Sequence, residues 1–292
     1  MGLNMDDFEE FEFKFKDISK PVFKLGDDSN PAVLIMLELP GMTHHTLEFA
    51  RRLHRDGYTV YLPLLFGKPN SDYEPVKNLL QICVRKEFNL LAFHKPSLVT
   101  DWLRALCREM QKASGQQVGA IGMCFTGGFV LSLMIDASVA APVMSQPGYA
   151  GGFFTKRGKA GFGLPKEEVD KAVGRSLSEN IPVLGFRFTN DVICQKERFD
   201  EMEKRLGKNF IRIEIDSSFS NVHGIPIYAH AVHTIDYQDQ EGHPTQLAYQ
   251  RLIEFLDTQL RHNAHVSTPY LVARTNLSLT CYMPGFYFNC YS

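Results

Sequence analysis

The stretch Ala120-Ile121-Gly122-Met123-Cys124-Phe125-Thr126-Gly127-Gly128 has the pattern of a sharp turn between a strand and a helix. Residues 116–121 before the turn are small or apolar from Val118 onward, as in a short strand, and residues 129–135 after it are apolar enough for a buried helix. The residue at the apex of such a turn has a strained backbone, so its neighbours must be almost free of side chains. The glycines on both sides of Cys124 meet this requirement.

Cys124, at the apex, is the first candidate for chemistry. At the N-terminus of the following helix, its thiol would face free backbone N–H groups and the positive end of the helix dipole, and both favour a thiolate. The alternative is that Cys124 is a small buried hydrophobe and that the glycines only form a tight turn. The choice between a nucleophile and a core residue depends on partners elsewhere in the chain.

The composition is that of an ordinary globular protein, with 292 residues, 44% of them hydrophobic and 22% charged. A net charge of −2 predicts neither a nucleic acid nor an anionic membrane as partner, and no apolar run is long enough to span a bilayer. The cysteines lack the paired spacing of a zinc site or a disulfide framework, which predicts free thiols, no bound metal and a cytoplasmic location. They are Cys83, Cys107, Cys124, Cys194, Cys281 and Cys290.

The order of strands and helices predicts a parallel sheet. Phe11, Phe13 and Phe15 alternate with charged residues, as in a half-exposed strand that pairs with residues 21–26. Further strands are predicted at 32–37, 58–62, 139–146, 182–188 and 210–215, and helices at 43–55, 98–110, 195–206 and 245–260. This alternation predicts the α/β class, with a doubly wound, mostly parallel sheet flanked by helices.

We expect one α/β domain over residues 1–262, in which residues 1–28 form an N-terminal strand or hairpin extension. Residues 66–96 are irregular, with a short helix expected near 76–84, and residues 149–176 are rich in glycine and lysine and predict a loop or small lid. The tail at 263–292 has no clear period and no functional interpretation.

Two further residues follow predicted strands in the way that catalytic partners of a nucleophile would. Asp191 comes directly after the strand at 182–188, and His230 follows the last strand through a loop. Doubly wound hydrolases carry nucleophile, acid and histidine in this chain order. The alternative for Asp191 is a helix N-cap. His223, His233 and His243 are rivals of His230, and spacing alone does not separate His230 from the alternative base His233. The adjacent His44 and His45 are interpreted as surface or pocket rim.

These residues together resemble a known family. The stretch Gly122–Gly128, Glu38 after the first central strand, Asp191, and His230-Ala231-Val232 are similar to the dienelactone hydrolases of the α/β-hydrolase fold, over roughly residues 30–260. The resemblance implies that Cys124 is the nucleophile of a Cys-His-Asp triad and that catalysis passes through an acyl-cysteine.

The resemblance also implies roles for residues around the triad. Glu38 would hold the resting thiol and help convert it to the thiolate when substrate arrives. The backbone N–H groups of Phe125 and Leu39 would form an oxyanion hole, where two preorganised donors stabilise the developing charge.

One position departs from the family's pattern. The family places an arginine shortly after the histidine to bind a substrate carboxylate, and this chain has Thr234 there. Other cations are available in the chain, namely Arg85, Lys86, and the Lys156, Arg157 and Lys159 of the expected lid. We therefore expect a small ester or lactone as substrate, without a cofactor. The sequence predicts no particular oligomeric state.

A non-catalytic small-molecule binder and a redox-responsive protein that uses Cys124 remain alternatives.

Overall fold

A computed structural model describes residues 3–39, 41–67, 98–148 and 156–261 of the chain. The expected short helix near 76–84, the cations Arg85 and Lys86, the first part of the expected lid and the tail at 263–292 lie outside the described residues. The domain boundary at residue 262 stays a prediction.

The described residues contain an eight-stranded sheet in the order β1-β2-β4-β3-β5-β6-β7-β8. The pairs β1–β2 and β2–β4 are antiparallel, and all other neighbours are parallel. The strands are β1 (Glu9–Phe15), β2 (Ile18–Leu25), β3 (Ala32–Met36), β4 (Thr59–Pro63), β5 (Val118–Met123), β6 (Val139–Ser145), β7 (Val183–Phe188) and β8 (Phe210–Ile215).

The helices follow the strands as a doubly wound fold requires. They are α1 (His44–Arg55), α2 (Leu98–Ser114), α3 (Phe129–Leu133), α4 (Lys156–Lys159), α5 (Lys166–Glu179), α6 (Lys196–Leu206) and α7 (Pro244–Leu256), with a π-helical turn at Asp257–Arg261. The chain steps from β3 to β4 in one direction and from β4 to β5 in the other, so right-handed crossovers place α1 and α2 on opposite faces of the sheet. None of the described helices is long and apolar enough to cross a membrane.

Burial explains why the strand predictions succeed. Every residue of β3, β5, β6 and β7 is buried, because helices cover both faces of these central parallel strands. The edge strand β1 alternates between exposed and half-buried residues, so its sequence shows the period of two. The predicted fold class, an α/β-hydrolase sheet flanked by helices, is confirmed.

The expected lid at 149–176 is wrong in its second half. Lys166–Glu179 is a 14-residue helix, α5, in which Val169, Ala172 and Ser176 are buried along one face. The rest of the helix is mostly charged, so the narrow buried stripe gives only a weak helical pattern in the sequence. A shorter helix, α4, lies before it at Lys156–Lys159.

Candidate active site

The candidate residues predicted from the sequence lie at the carboxyl ends of the parallel strands. Cys124 follows β5, Asp191 follows β7, Glu38 lies two residues after β3, and the loop after β8 leads to His230. Ligands of open α/β sheets bind at this edge, because the loops that leave parallel strands converge there.

Cys124 lies at the apex of a tight strand-to-helix turn. Its φ of +50° is in the left-handed region that side chains avoid, and a short 3₁₀ turn leads from it towards α3. A Cβ at Gly122 would lie 2.4 Å from the Thr126 carbonyl oxygen, and one at Gly128 would lie 2.3 Å from the Phe162 carbonyl oxygen. The flanking glycines are therefore sterically required, as the sequence predicted.

Thr126 fastens this turn to the neighbouring strand. Its hydroxyl lies 2.9 Å from the carbonyl oxygen of Met36 at the end of β3, and it accepts a hydrogen bond from the backbone N–H of Met123 at 3.1 Å. The two residues expected to supply an oxyanion hole, Phe125 and Leu39, lie in the two segments that Thr126 connects.

His230 and Asp191 are hydrogen-bonded to each other. The distance from His230 Nδ1 to Asp191 Oδ2 is 2.6 Å, and the Asp191 carboxylate is buried. The other oxygen, Oδ1, accepts from the backbone N–H groups of Ile193 at 2.8 Å and Cys194 at 3.0 Å. With both oxygens engaged, Asp191 holds the imidazole in one orientation and directs its proton to Nδ1.

The other ring nitrogen of His230 is left for Cys124. Nε2 is buried, and Cys124 is the side chain that can hydrogen-bond to the imidazole on this side. Burial lowers the pKa of His230, but the negative charges of Cys124 and Asp191 outweigh burial and hold this pKa well above its usual value. The structure therefore brings Cys124, His230 and Asp191 together, with the imidazole stabilised in its charged form when the thiolate is present.

Glu38 is buried beside this group, and its two oxygens have protein partners. Gln146 Nε2 donates to Oε2 at 3.0 Å, and the hydroxyl of Thr234 donates to Oε1. Burial raises the pKa of Glu38, although the bonds from Thr234 and Gln146 and the charge of His230 oppose this shift. No hydrogen bond joins Glu38 to Cys124 in the described residues, and the Thr234 hydroxyl is committed to Glu38.

His233, the alternative base, lies in a different environment. It is fully buried and stacks on Phe49, with ring centroids 5.3 Å apart, while the ring of Phe186 meets it edge-on at 4.7 Å. Neither ring nitrogen has a hydrogen-bond partner, and burial lowers the pKa of His233 to about 3. The structure places His233 as a neutral aromatic ring in the core.

Comparison with known proteins identifies the family. The sequence model of the dienelactone hydrolase family matches residues 22–260. The chain belongs to the dienelactone hydrolase family. A search of curated proteins found no match.

Solved structures show the same fold at low sequence identity. A protein of Klebsiella pneumoniae subsp. pneumoniae assigned as a dienelactone hydrolase is 18% identical, with a TM-score of 0.58 over 85% of this chain and 97% of that chain. The dienelactone hydrolase of Anabaena variabilis is 12% identical, with a TM-score of 0.54 over 87% and 100%. A dienelactone hydrolase-like promiscuous phosphotriesterase from metagenomic libraries is 14% identical, with a TM-score of 0.53 over 87% and 98%.

Two residues of this dienelactone hydrolase family member were missed by the sequence analysis. Gln146, buried at the end of β6, bonds to Glu38 and lies 3.4 Å from the backbone N–H of Val232. Arg198, in the first turn of α6, is buried and donates to the carbonyl of Pro147, which lies against Gly127 of the Cys124 turn. A polar residue directly after a buried strand could have indicated Gln146, whereas Arg198 resembles any other arginine of a charged helix. No group of three or more His, Cys, Asp or Glu side chains in the described residues could hold a metal ion.

Proposed function

We propose that the protein hydrolyses small carboxylic esters or lactones, with Cys124 as nucleophile, His230 as base and Asp191 as the residue that orients the base. The observation that carries this proposal is the 2.6 Å bond between His230 Nδ1 and Asp191, which leaves the buried Nε2 available for the Cys124 thiol. A buried acid–imidazole pair next to a strained thiol is the arrangement that activates a nucleophile. A protein that only binds its ligand needs no such set.

The reaction would proceed in two halves. The thiol proton of Cys124 passes to His230 Nε2, and the thiolate attacks the carbonyl carbon of the ester. The tetrahedral oxyanion is stabilised by the backbone N–H groups of Phe125 and Leu39. The intermediate collapses to an acyl-cysteine, and the leaving alkoxide takes the proton from His230. A water molecule then loses a proton to His230 and attacks the thioester, which releases the acid and restores the thiol.

Glu38 has a role in this mechanism as the residue that adjusts the charge on Cys124 and His230. Burial favours its neutral form, and a positive charge on His230 favours its carboxylate. The ionisation of Glu38 is therefore coupled to that of the base. Its bonds to Thr234 and Gln146 also tie the loop that carries His230 to the ends of β3 and β6. These contacts support a role of Glu38 that acts through His230 more directly than they support a bond from Glu38 to the resting Cys124 thiol.

The test is hydrolysis of a panel of p-nitrophenyl esters and lactones by the wild type and two cysteine variants. Cys124→Ala should reduce the rate to background while retaining the wild-type melting temperature. Cys107→Ala is the matched control, because Cys107 is also a free thiol but is buried in α2. An alanine variant at 124 with the wild-type rate would refute the triad. If the wild type binds esters without turnover, the binding alternative is correct. Peroxide oxidation of Cys124 without any ester turnover would favour the redox alternative.

The cytoplasmic location belongs to the same proposal. Cys107, Cys124 and Cys194 are free in the structure, and a nucleophilic thiol needs a reducing compartment to stay reduced. Labelling of free thiols in the protein isolated from its native cells would test this.

A further inference from the structure

Arg198 is a buried cation whose hydrogen bonds go to backbone carbonyl oxygens and to the Cys194 thiol. Its side chain is 1% exposed. Nε donates to the Gly161 carbonyl at 2.6 Å, and Nη1 donates to the carbonyls of Pro147 and, at 3.2 Å, Ile193. Within the residues that the structure describes, no carboxylate forms a salt bridge with it.

This placement is unfavourable in two ways. A guanidinium loses its hydration on burial, and carbonyl dipoles restore only part of that free energy. Arg198 also lies in the first turn of α6, where the helix dipole disfavours a positive charge. Burial lowers the pKa of Arg198, while Cys194, Asp191 and Cys124 act to raise it. Local rules are broken in this way most often at functional sites.

The carbonyls that Arg198 binds belong to the segments that border the Cys124 sulfur. Gly148, next to Pro147, donates its N–H to the Cys124 carbonyl at 2.7 Å. A Cβ at Gly148 would lie 3.4 Å from Cys124 Sγ and 2.9 Å from Ile193 Cγ2, so the sulfur and Ile193 flank the same glycine. Arg198 therefore binds two residues next to the thiol, namely Pro147, which precedes Gly148, and Ile193, whose side chain lies beside the same glycine.

The other charged groups near this arginine are paired or neutral. Burial raises the pKa of Cys194 to about 12, so its thiol is neutral at pH 7. Arg187 forms a salt bridge with Glu214, and Lys159 lies 3.9 Å from Glu197. The remaining groups that face the site are Glu38, whose pKa burial raises, the bonded pair of Asp191 and His230, and Asp236, which accepts from the His230 backbone N–H.

We propose that Arg198 is a positioning residue that supplies the permanent positive charge next to Cys124 and so stabilises its thiolate. The inference rests on the proposed function, because a stable thiolate matters only if Cys124 is the nucleophile. His230 becomes a cation only when it takes the thiol proton. Arg198 is charged before and after that transfer, so it lowers the free energy of the ion pair without taking part in the proton balance.

The test is the pH dependence of Cys124 alkylation by iodoacetamide, followed on the Cys124 peptide by mass spectrometry so that the other thiols do not interfere. Thiolates are alkylated and thiols are not. Arg198→Gln should raise the pH midpoint of alkylation by about 1 unit or more, as expected for loss of a nearby opposite charge. Below the midpoint, the alkylation rate should fall about tenfold. Arg198→Lys should keep the midpoint near that of the wild type, because it keeps the charge.

Arg175→Gln is the matched control. Arg175 Nη1 also bonds to three carbonyls, those of Met134, Asp136 and Val139, but these lie at the opposite end of β6 from the site. Its loss should lower the melting temperature and leave the alkylation midpoint unchanged. If Arg198→Gln gives the same result as Arg175→Gln, Arg198 is only a structural brace and the proposal is overturned.

Two further outcomes are also decisive. If Arg198→Gln does not fold, Arg198→Met decides, because methionine fills part of the same buried space and carries no charge. A midpoint raised by about 1 unit supports the proposal, and a midpoint equal to that of the wild type overturns it. Alkylation is measured without an ester. If Cys124→Ala keeps ester hydrolysis while Arg198→Gln still moves the midpoint, the proposed function fails and the electrostatic role of Arg198 stands.

Discussion

At the scale of single residues, the two histidines at 230 and 233 show how surroundings assign different properties to the same side chain. His230 has a carboxylate partner on one nitrogen, and its side chain interacts with Cys124. His233 is enclosed by Phe49, Phe186 and Tyr249 and has no polar partner. Opposite shifts in pKa follow, upward for His230 and downward for His233.

The proposed base can be tested by comparing the two histidines in one ester assay. His230→Ala should lower kcat by about 10²- to 10⁴-fold, the range that loss of a general base produces. His233→Phe should keep the rate close to that of the wild type, because phenylalanine can occupy the same aromatic cluster. An inactive His233 variant beside an active His230 variant would reverse the assignment.

His233 should also make the fold sensitive to acid. Its pKa is about 3 in the folded protein and about 6.5 in the unfolded chain, so below pH 6.5 the unfolded state binds a proton that the folded state does not. This contribution to stability is complete above pH 6.5 and is lost as the pH falls towards 3. Between pH 7 and pH 5 the wild type should lose about 2 kcal/mol from this residue.

His233→Phe removes that titration while leaving the other ionisable groups in place. Urea unfolding of both proteins at pH 7 and pH 5 measures the difference. The free energy of unfolding should fall less for His233→Phe than for the wild type. Equal losses in the two proteins would show that the buried imidazole does not carry this acid sensitivity.

At the scale of elements, the turn between β5 and α3 determines where the nucleophile is held. Gly128 is the N-cap residue of α3 and lies against the segment that precedes α5. A Cβ added at Gly128 would be 2.3 Å from the Phe162 carbonyl oxygen. Because that neighbour is backbone, it cannot move aside cheaply. The close approach of these two segments ties the position of Cys124 to the chain that leads into α5.

Gly128→Ala should therefore destabilise the protein by about 1–3 kcal/mol, the usual cost of overpacking a close contact. Gly174→Ala is the matched control, because Gly174 lies within α5 and a Cβ there would meet nothing within 4 Å. That substitution should be neutral or stabilise by up to about 1 kcal/mol through helix propensity. Chemical denaturation of both variants measures the contrast, and equal stabilities would contradict the steric argument.

At the scale of the whole molecule, contacts between distant parts of the chain decide what the site can bind. Thr234 lies 196 residues from Glu38 along the sequence, and the fold uses its hydroxyl to bond this buried carboxyl group. At this position the family's pattern has a carboxylate-binding arginine. In this chain the position therefore offers the substrate neither a positive charge nor a free donor.

Neutral esters or lactones should accordingly be hydrolysed better than anionic analogues of equal size. Loss of a charge-assisted contact costs on the order of 1.5–3 kcal/mol, or roughly tenfold to a hundredfold in affinity. The measurement is kcat/KM for a matched neutral and anionic pair. A clear preference for the anion would mean that a lysine or arginine outside the described residues, or Lys159, binds the carboxylate.

The sequence by itself determined those features that depend on local sterics and periodicity. The glycines around Cys124 predicted the tight turn, because only glycine fits there, and the apolar runs of β3, β6 and β7 predicted strands covered on both faces. The sequence also predicted the chain order of Cys124, Asp191 and His230, because each of them follows a strand with a recognisable pattern. Lys166–Glu179 is a helix where the sequence predicted a loop, because its buried face is narrow and it follows a stretch rich in glycine.

Only the tertiary structure decided which side chains meet. Three features depend on contacts between segments far apart in the chain. They are the different surroundings of His230 and His233, the bond from Thr234 to Glu38 and the bond from the buried Arg198 to the Pro147 carbonyl. Residue type and spacing carry no record of such contacts, because the same histidine, threonine or arginine is equally suited to solvent, core or active site. Their properties come from the desolvation and the partners that the folded chain imposes on them.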